Sequence, residues 1–134
     1  MSSPEPLEVV GAVIEDAQGH ILCALRGPGR ALAGLWEFPG GKLSDGESPE
    51  RALIREIHEE LGCAIGVGDL VADIVHVYPA VTIRLRTYRA RLVEGTPVAT
   101  EHGELRWVHP RDLAGLEWAP ADVPSVKVLT AQDA

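Results

Sequence analysis

Three glutamates, Glu56, Glu59 and Glu60, stand at spacing i, i+3, i+4 in the stretch "GGKLSDGESPERALIREIHEELGC". On a helix turning about 100° per residue they share one sector, next to a packing sector made of Leu53, Ile54, Ile57 and Leu61. Their mutual repulsion costs a few tenths of a kcal/mol per pair (~0.2–0.5), and the spacing offers no basic residue a turn away on that sector to relieve it. A solvated acidic face would account for two neighbouring glutamates. Three of them following a glycine-rich loop, whose free carbonyls can join the set, point to an all-oxygen site for a hard divalent cation such as Mg²⁺, with Mn²⁺ possible, of the kind shared with substrate phosphates.

The helix that must carry these carboxylates has clear ends. Ser48 is a good N-cap, Pro49 suits the first helical position, Glu50 complements the macrodipole, and Gly62 is the usual left-handed residue past the last turn, so a helix is expected over 49–61. Upstream, Val9–Ile14 and Ile21–Leu25 read as a hairpin turning at Ala17-Gln18-Gly19. "GPGRALAGLWEFPGGKLSDGES" is a long loop dense in Gly and Pro, anchored by Leu35-Trp36-Glu37-Phe38. Downstream, Val71–Tyr78 and Val81–Val93 read as strands, the second with Arg84, Arg86 and Tyr88 on a charged outer face. "ELRWV" offers a further short strand, "HPRDLAG" a helical turn, and "APADVPSVKVLTAQ" a helix starting near Asp122.

The acidic stretch resembles the Nudix box, G-x5-E-x7-R-E-U-x-E-E-x-G-U with U a bulky apolar residue. Gly41, Glu47, Arg55, Glu56, Ile57, Glu59, Glu60 and Gly62 match it, and Cys63 fills the last apolar position as a small hydrophobe. "AGLWEFPGGK", "TEHGELRW" and "WAPADVPSV" extend the likeness to the MutT-like branch of nucleoside triphosphate pyrophosphohydrolases. The resemblance implies an α/β fold, an α/β/α sandwich with a central mixed β-sheet. It implies that Glu56, Glu59, Glu60 and the Gly40 carbonyl ligate metal, and that Arg55 braces Glu47 and the ligand carboxylates. Glu101, at the place of an additional loop glutamate, would bind metal or act as general base, with Glu59 and Glu60 as the other candidates for that role. Arg26 matches a substrate-contacting position and Lys42 could meet phosphate oxygens. Tyr78 could stack on the base, and Asp122 stands where a polar base-reading side chain is expected, or else caps the last helix. Read as an ionised carboxylate, Asp122 would only accept hydrogen bonds and so favour cytosine nucleotides or 8-oxo-dGTP. His58, His20 and His109 are expected to be solvated; His102, beside Glu101, invites attention.

The whole chain is compatible with this. Its 134 residues suit one domain, 1–134, behind a flexible leader over 1–7. With 12 Lys and Arg against 20 Asp and Glu the net charge is −8, which disfavours polymeric nucleic acid and leaves small anions held through a cation. No apolar run approaches the roughly 20 residues needed to span a bilayer, no export signal is evident, and Cys23 and Cys63 read as free thiols, so a cytoplasmic monomer or homodimer is expected. Nucleotide-sugar, dinucleoside polyphosphate or RNA 5′-end hydrolysis, or nucleotide sensing without catalysis, are the alternatives on the same box.

Overall fold

The computed structural model describes residues 5–133. In chain order it contains strands β1 (Leu7–Glu15), β2 (Ile21–Arg26), β3 (Trp36–Glu37) and β4 (Gly40–Lys42), helix α1 (Pro49–Leu61), strands β5 (Ala64–Val77), β6 (Thr82–Glu94) and β7 (His102–Val108), and helix α2 (Val123–Asp133). Two 3₁₀ segments, Pro110–Gly115 and Pro120–Asp122, lie between β7 and α2. The strands form one mixed sheet in the order β3-β2-β1-β6-β5, with β4 added to β1 and β7 to β2. β1 runs parallel to β6 from Leu7↔Ile83 to Glu15↔Arg91.

An apolar run such as Val9–Ile14, with only Gly11 and Ala12 interrupting the β-branched residues, suits a central strand covered on both faces. That is its position. One face of the sheet packs Val10, Ala12, Ile14, Leu22, Tyr88 and Ala90 against Leu53, Ile57 and Leu61 of α1. The other packs Val13, Ile21 and Cys23 with Trp36, Phe38 and Trp118 against Val126 and Leu129 of α2. Leu53, Ile57 and Leu61 are fully buried, and truncating any of them to Ala is expected to cost ~2–5 kcal/mol. α1 ends as its sequence indicates: the Ser48 hydroxyl accepts from the Arg51 N–H at 3.2 Å, and Gly62, at φ 68°, donates to the His58 carbonyl.

Several elements differ from the sequence reading. The 7–15 and 21–26 strands meet only at Glu15↔Ile21, because the adjoining edge of β1 is occupied over Val9–Gly11 by β4 and β2 turns away to pair with β7. The face bearing Arg84, Arg86 and Tyr88 is not an outer face, since Tyr88 and Ala90 lie under α1 while Thr87 is buried against Ser125 of α2. β5 begins at Ala64 rather than Val71, its glycine-bearing start continuing through irregularities in its register with β6. Ile54 sits outside the packed stripe and is 41% exposed. Of the expected leader, residues 1–4 lie outside the described residues and Leu7 already belongs to β1.

Candidate active site

The short β4 and the first half of β1 form the floor on which α1 lays its acidic sector. A glycine at 41 is required there: a Cβ would fall 2.3 Å from Glu56 Oε2, so the absence of a side chain makes the space that the Glu56 carboxyl occupies. Gly40 approaches the Val10 backbone so closely that a Cβ would collide with its carbonyl oxygen. The two glycines thus hold Glu56 close over the β4 backbone.

Arg55 ties this region together. Its Nε and one terminal nitrogen donate to the two oxygens of Glu47 at 2.8 and 2.9 Å, and the same terminal nitrogen donates to the Lys42 carbonyl at 3.0 Å. The other terminal nitrogen bridges Glu56 Oε1 at 2.9 Å and Glu59 Oε2 at 3.3 Å. The Arg55 hydrogen bonds, with those from Ser44, hold Glu47 down to about 2. The repulsion expected within the acidic sector is therefore relieved at Glu56 and Glu59, because an arginine one residue before Glu56 reaches round to both. It is concentrated on Glu60.

Glu60 is half-buried, its Oε2 has no hydrogen-bond partner among the described residues, and burial together with Glu56, Glu101 and Glu37 pushes its pKa up to about 8. The Thr100 hydroxyl donates to the Glu60 carbonyl at 2.6 Å, which holds the loop bearing Glu101 against the end of α1. Glu101 itself is exposed, as is Glu59, whose side chain retains 58% of its accessibility. Among the described residues no three His, Cys, Asp or Glu side chains are gathered into a ready-made ion cage. His58 is exposed on α1.

Beside the carboxylates opens a cleft of about 460 Å³. Its lining includes Glu56, Glu60, Gly40 and Gly41, Tyr78 and Asp122, apolar surface from Phe38, Ile83 and Leu85, and Arg26 and Lys42. Glu47, Arg55, Glu59 and Glu101 are outside its lining. Asp122 is buried, and its Oδ1 accepts from the Phe38 N–H at 3.3 Å, a contact that ties the turn before α2 to the strand connection at Phe38. Burial, reinforced by the Glu37 charge, pushes it up to about 8. Burial thus favours the protonated form of Asp122, which carries an O–H donor as well as acceptor oxygens, over the acceptor-only carboxylate expected from sequence. Asp122 stands immediately before α2, which starts at Val123 as the sequence reading expects, but its carboxyl bonds the Phe38 N–H, and among the described residues no N–H of α2 donates to it. The Tyr78 hydroxyl accepts from the Ala121 N–H at 3.0 Å and so fixes the same segment.

Two residues of this region, Glu37 and Arg30, were not singled out for chemistry by the sequence reading, and His102, which drew attention there beside Glu101, pairs instead with Glu37. Glu37 lines the cleft and receives Arg26 at 2.6 Å on one oxygen and His102 Nε2 at 2.9 Å on the other. Burial opposes its charge, but those hydrogen bonds outweigh it and hold its pKa below the ordinary range. His102 is the buried side of this pair, and its Nδ1 has no partner among the described residues. Arg30 lines the cleft from the loop after β2. A signal for Glu37 existed: alternation in a strand that buries Trp36 and Phe38 sends the residue between them to the opposite side.

Residues 9–127 match the family model described as the NUDIX domain. The chain belongs to the NUDIX family. It is 40% identical over 125 residues to the CTP pyrophosphohydrolase of Escherichia coli K12, covering 93% of this chain and 92% of that protein. It is 41% identical over 117 residues to the putative 8-oxo-dGTP diphosphatase 2 of Mycobacterium tuberculosis, covering 85% and 80%. The crystal structure of the MutT protein from Methanosarcina mazei Go1 superposes with a TM-score of 0.84 at 25% identity, over 98% of this chain and 99% of that one. The α/β/α arrangement around a mixed sheet is that of these NUDIX structures.

Proposed function

We propose that this NUDIX protein hydrolyses nucleoside triphosphates to the monophosphate and pyrophosphate, with a cytosine nucleotide or 8-oxo-dGTP as the preferred substrate. The observation that carries this reading is the cleft itself, whose lining combines a carboxylate oxygen without a partner among the described residues with apolar surface and the buried carboxyl of Asp122. A triphosphate has matching parts. The names of the Escherichia coli and Mycobacterium tuberculosis relatives support the same substrate classes.

The residues present fit a divalent cation, Mg²⁺ or Mn²⁺. Glu60 carries a buried oxygen without a partner, and glycine at 41 keeps open the space in which Glu56 lies. Glu56, Glu59 and Glu60, with the Gly40 carbonyl, would hold it, and Glu101 is brought close enough to Glu60 to act on its charge. When bound, such a cation neutralises phosphate charge and acidifies a water. In the reaction proposed, water oxygen bonds to the β-phosphorus and the α–β bridging oxygen leaves with the monophosphate. Water's proton passes to a carboxylate, for which Glu60, Glu59 and Glu101 are the candidates. Arg55 keeps Glu56 and Glu59 in register and fixes the Glu47 loop, acting through those carboxylates rather than on substrate. Asp122 and the Phe38 backbone sit where a base enters, and Tyr78 offers a ring face.

Chromatography of products from a panel of normal, oxidised and 5-substituted nucleoside triphosphates with Mg²⁺ tests the reading. Monophosphate and pyrophosphate in equal amounts support it. Turnover confined to nucleotide sugars or dinucleoside polyphosphates, or no turnover, would replace it.

A further inference from the structure

The loop between β2 and β3 is closed at its base by paired backbone bonds, the Arg26 N–H to the Leu35 carbonyl at 2.9 Å and the Gly34 N–H to the Arg26 carbonyl at 3.0 Å. Arg26 then reaches into the loop, where its Nε donates to the Ala31 carbonyl at 2.6 Å while one terminal nitrogen is held by Glu37 at 2.6 Å. Arg26 is therefore anchored to the protein through its Nε and one terminal nitrogen. What it fixes is the backbone immediately after Arg30.

Arg30 is differently placed. Its guanidinium lines the cleft, no hydrogen bond or ion pair engages it among the described residues, and its NH1 is a buried donor without a partner. Glu60 Oε2, in the same cleft, is a buried acceptor without a partner. The two groups influence one another electrostatically, yet they do not come within ion-pair distance. A buried guanidinium donor and a buried carboxyl oxygen, both left without partners among the described residues in one pocket, are costly unless something completes both. A phosphate chain carrying its cation does so, its oxygens meeting the guanidinium and its cation meeting the carboxylate.

From this we infer that Arg30 is a phosphate-binding residue of the cleft, contacting the phosphate chain of the substrate, with Arg26 as the residue that positions its loop. This rests on the nucleotide-hydrolase reading above. It adds a contact to it that neither the acidic helix nor the glycine loop supplies, at a position outside the box.

The test compares Arg30→Gln and Arg30→Lys with the wild-type chain. Two quantities are read: binding of inorganic triphosphate by calorimetry in the presence of Mg²⁺, and KM and kcat for the best nucleoside triphosphate of the panel. Loss of one charge-assisted contact is expected to weaken triphosphate binding and raise KM by about tenfold or more in Arg30→Gln, with kcat held and thermal stability unchanged. Arg30→Lys should recover part of the loss by restoring the charge, and added salt should narrow the gap between wild type and Arg30→Gln. Unchanged triphosphate affinity in Arg30→Gln overturns the inference. So does a fall in kcat with KM and triphosphate binding intact, which would make Arg30 a modulator of the carboxylates. If the wild-type chain binds triphosphate but hydrolyses no nucleoside triphosphate, the functional reading fails while the binding comparison still decides the role of Arg30.

Discussion

Asp122→Asn should change how stability depends on pH while leaving the shape of the site intact. The carboxyl is buried, its Oδ1 accepts from the Phe38 N–H, and its pKa lies near 8 against an ordinary 3.8. Because the folded pKa of this acid is raised, its favourable contribution is complete below about pH 4 and is lost as pH rises towards 8, the unfolded chain releasing the proton first. One proton corresponds to a slope of ~1.4 kcal/mol per pH unit, so the accumulated loss by pH 8 is on the order of 3–6 kcal/mol. Asparagine keeps an oxygen for the Phe38 N–H and has no proton to lose. Urea unfolding at pH 4, 5, 6, 7 and 8 should therefore give curves for the two proteins that converge at the acid end and diverge towards pH 8, with the variant more stable. Parallel curves would show that Asp122 titrates normally and would remove the argument that it is a protonated acid at neutral pH. The same argument separates two substitutions in substrate choice. Asp122→Asn, which retains a donor and an acceptor, should keep the ranking of bases, whereas Asp122→Ala should shift kcat/KM ratios by ~1–3 kcal/mol.

Glu60→Gln should lower turnover at least about a hundredfold, as expected for a charged metal ligand, while raising stability above pH 5, since it removes a carboxylate whose pKa is driven up to about 8; steady-state kinetics and urea unfolding at pH 8 check the two halves. Glu59→Gln should lose comparable activity with little change in stability, because that side chain is exposed and only lightly held by Arg55. Gly41→Ala should expel the Glu56 carboxyl from its place over β4, weakening Mg²⁺ or Mn²⁺ binding measured by calorimetry, yet fold normally, because the colliding atoms are the mobile end of a side chain.

Helix α1 was readable because its signals are local: a serine cap, a proline at the first position, a glycine stop and an apolar stripe. The acidic sector was readable for the same reason, but its electrostatics were not. The resemblance implied that Arg55 braces Glu47 and the ligand carboxylates, but spacing did not show that one guanidinium bonds Glu47, Glu56 and Glu59 and leaves Glu60 without a partner among the described residues. Contacts made across the chain were hidden. Asp122 is 84 residues from Phe38 and its protonation follows from burial, which spacing cannot reveal. Glu37 was hidden inside an apolar anchor whose Trp36 and Phe38 do enter the core. The expected hairpin closes at its turn, where β1 and β2 pair antiparallel at Glu15↔Ile21, but local alternation does not show which strand takes each edge, and β4, only three residues long, takes the Val9–Gly11 stretch of β1.

Hydrolysis of the preferred nucleoside triphosphate in ¹⁸O-labelled water, with Mg²⁺ and with mass analysis of both products, tests the proposed reaction most directly. Attack at the β-phosphorus predicts equal amounts of unlabelled nucleoside monophosphate and singly labelled pyrophosphate, with formation of both abolished by EDTA and by Glu60→Gln. Label in the monophosphate would place the attack at the α-phosphorus, and release of orthophosphate or turnover that survives EDTA would contradict the reaction altogether.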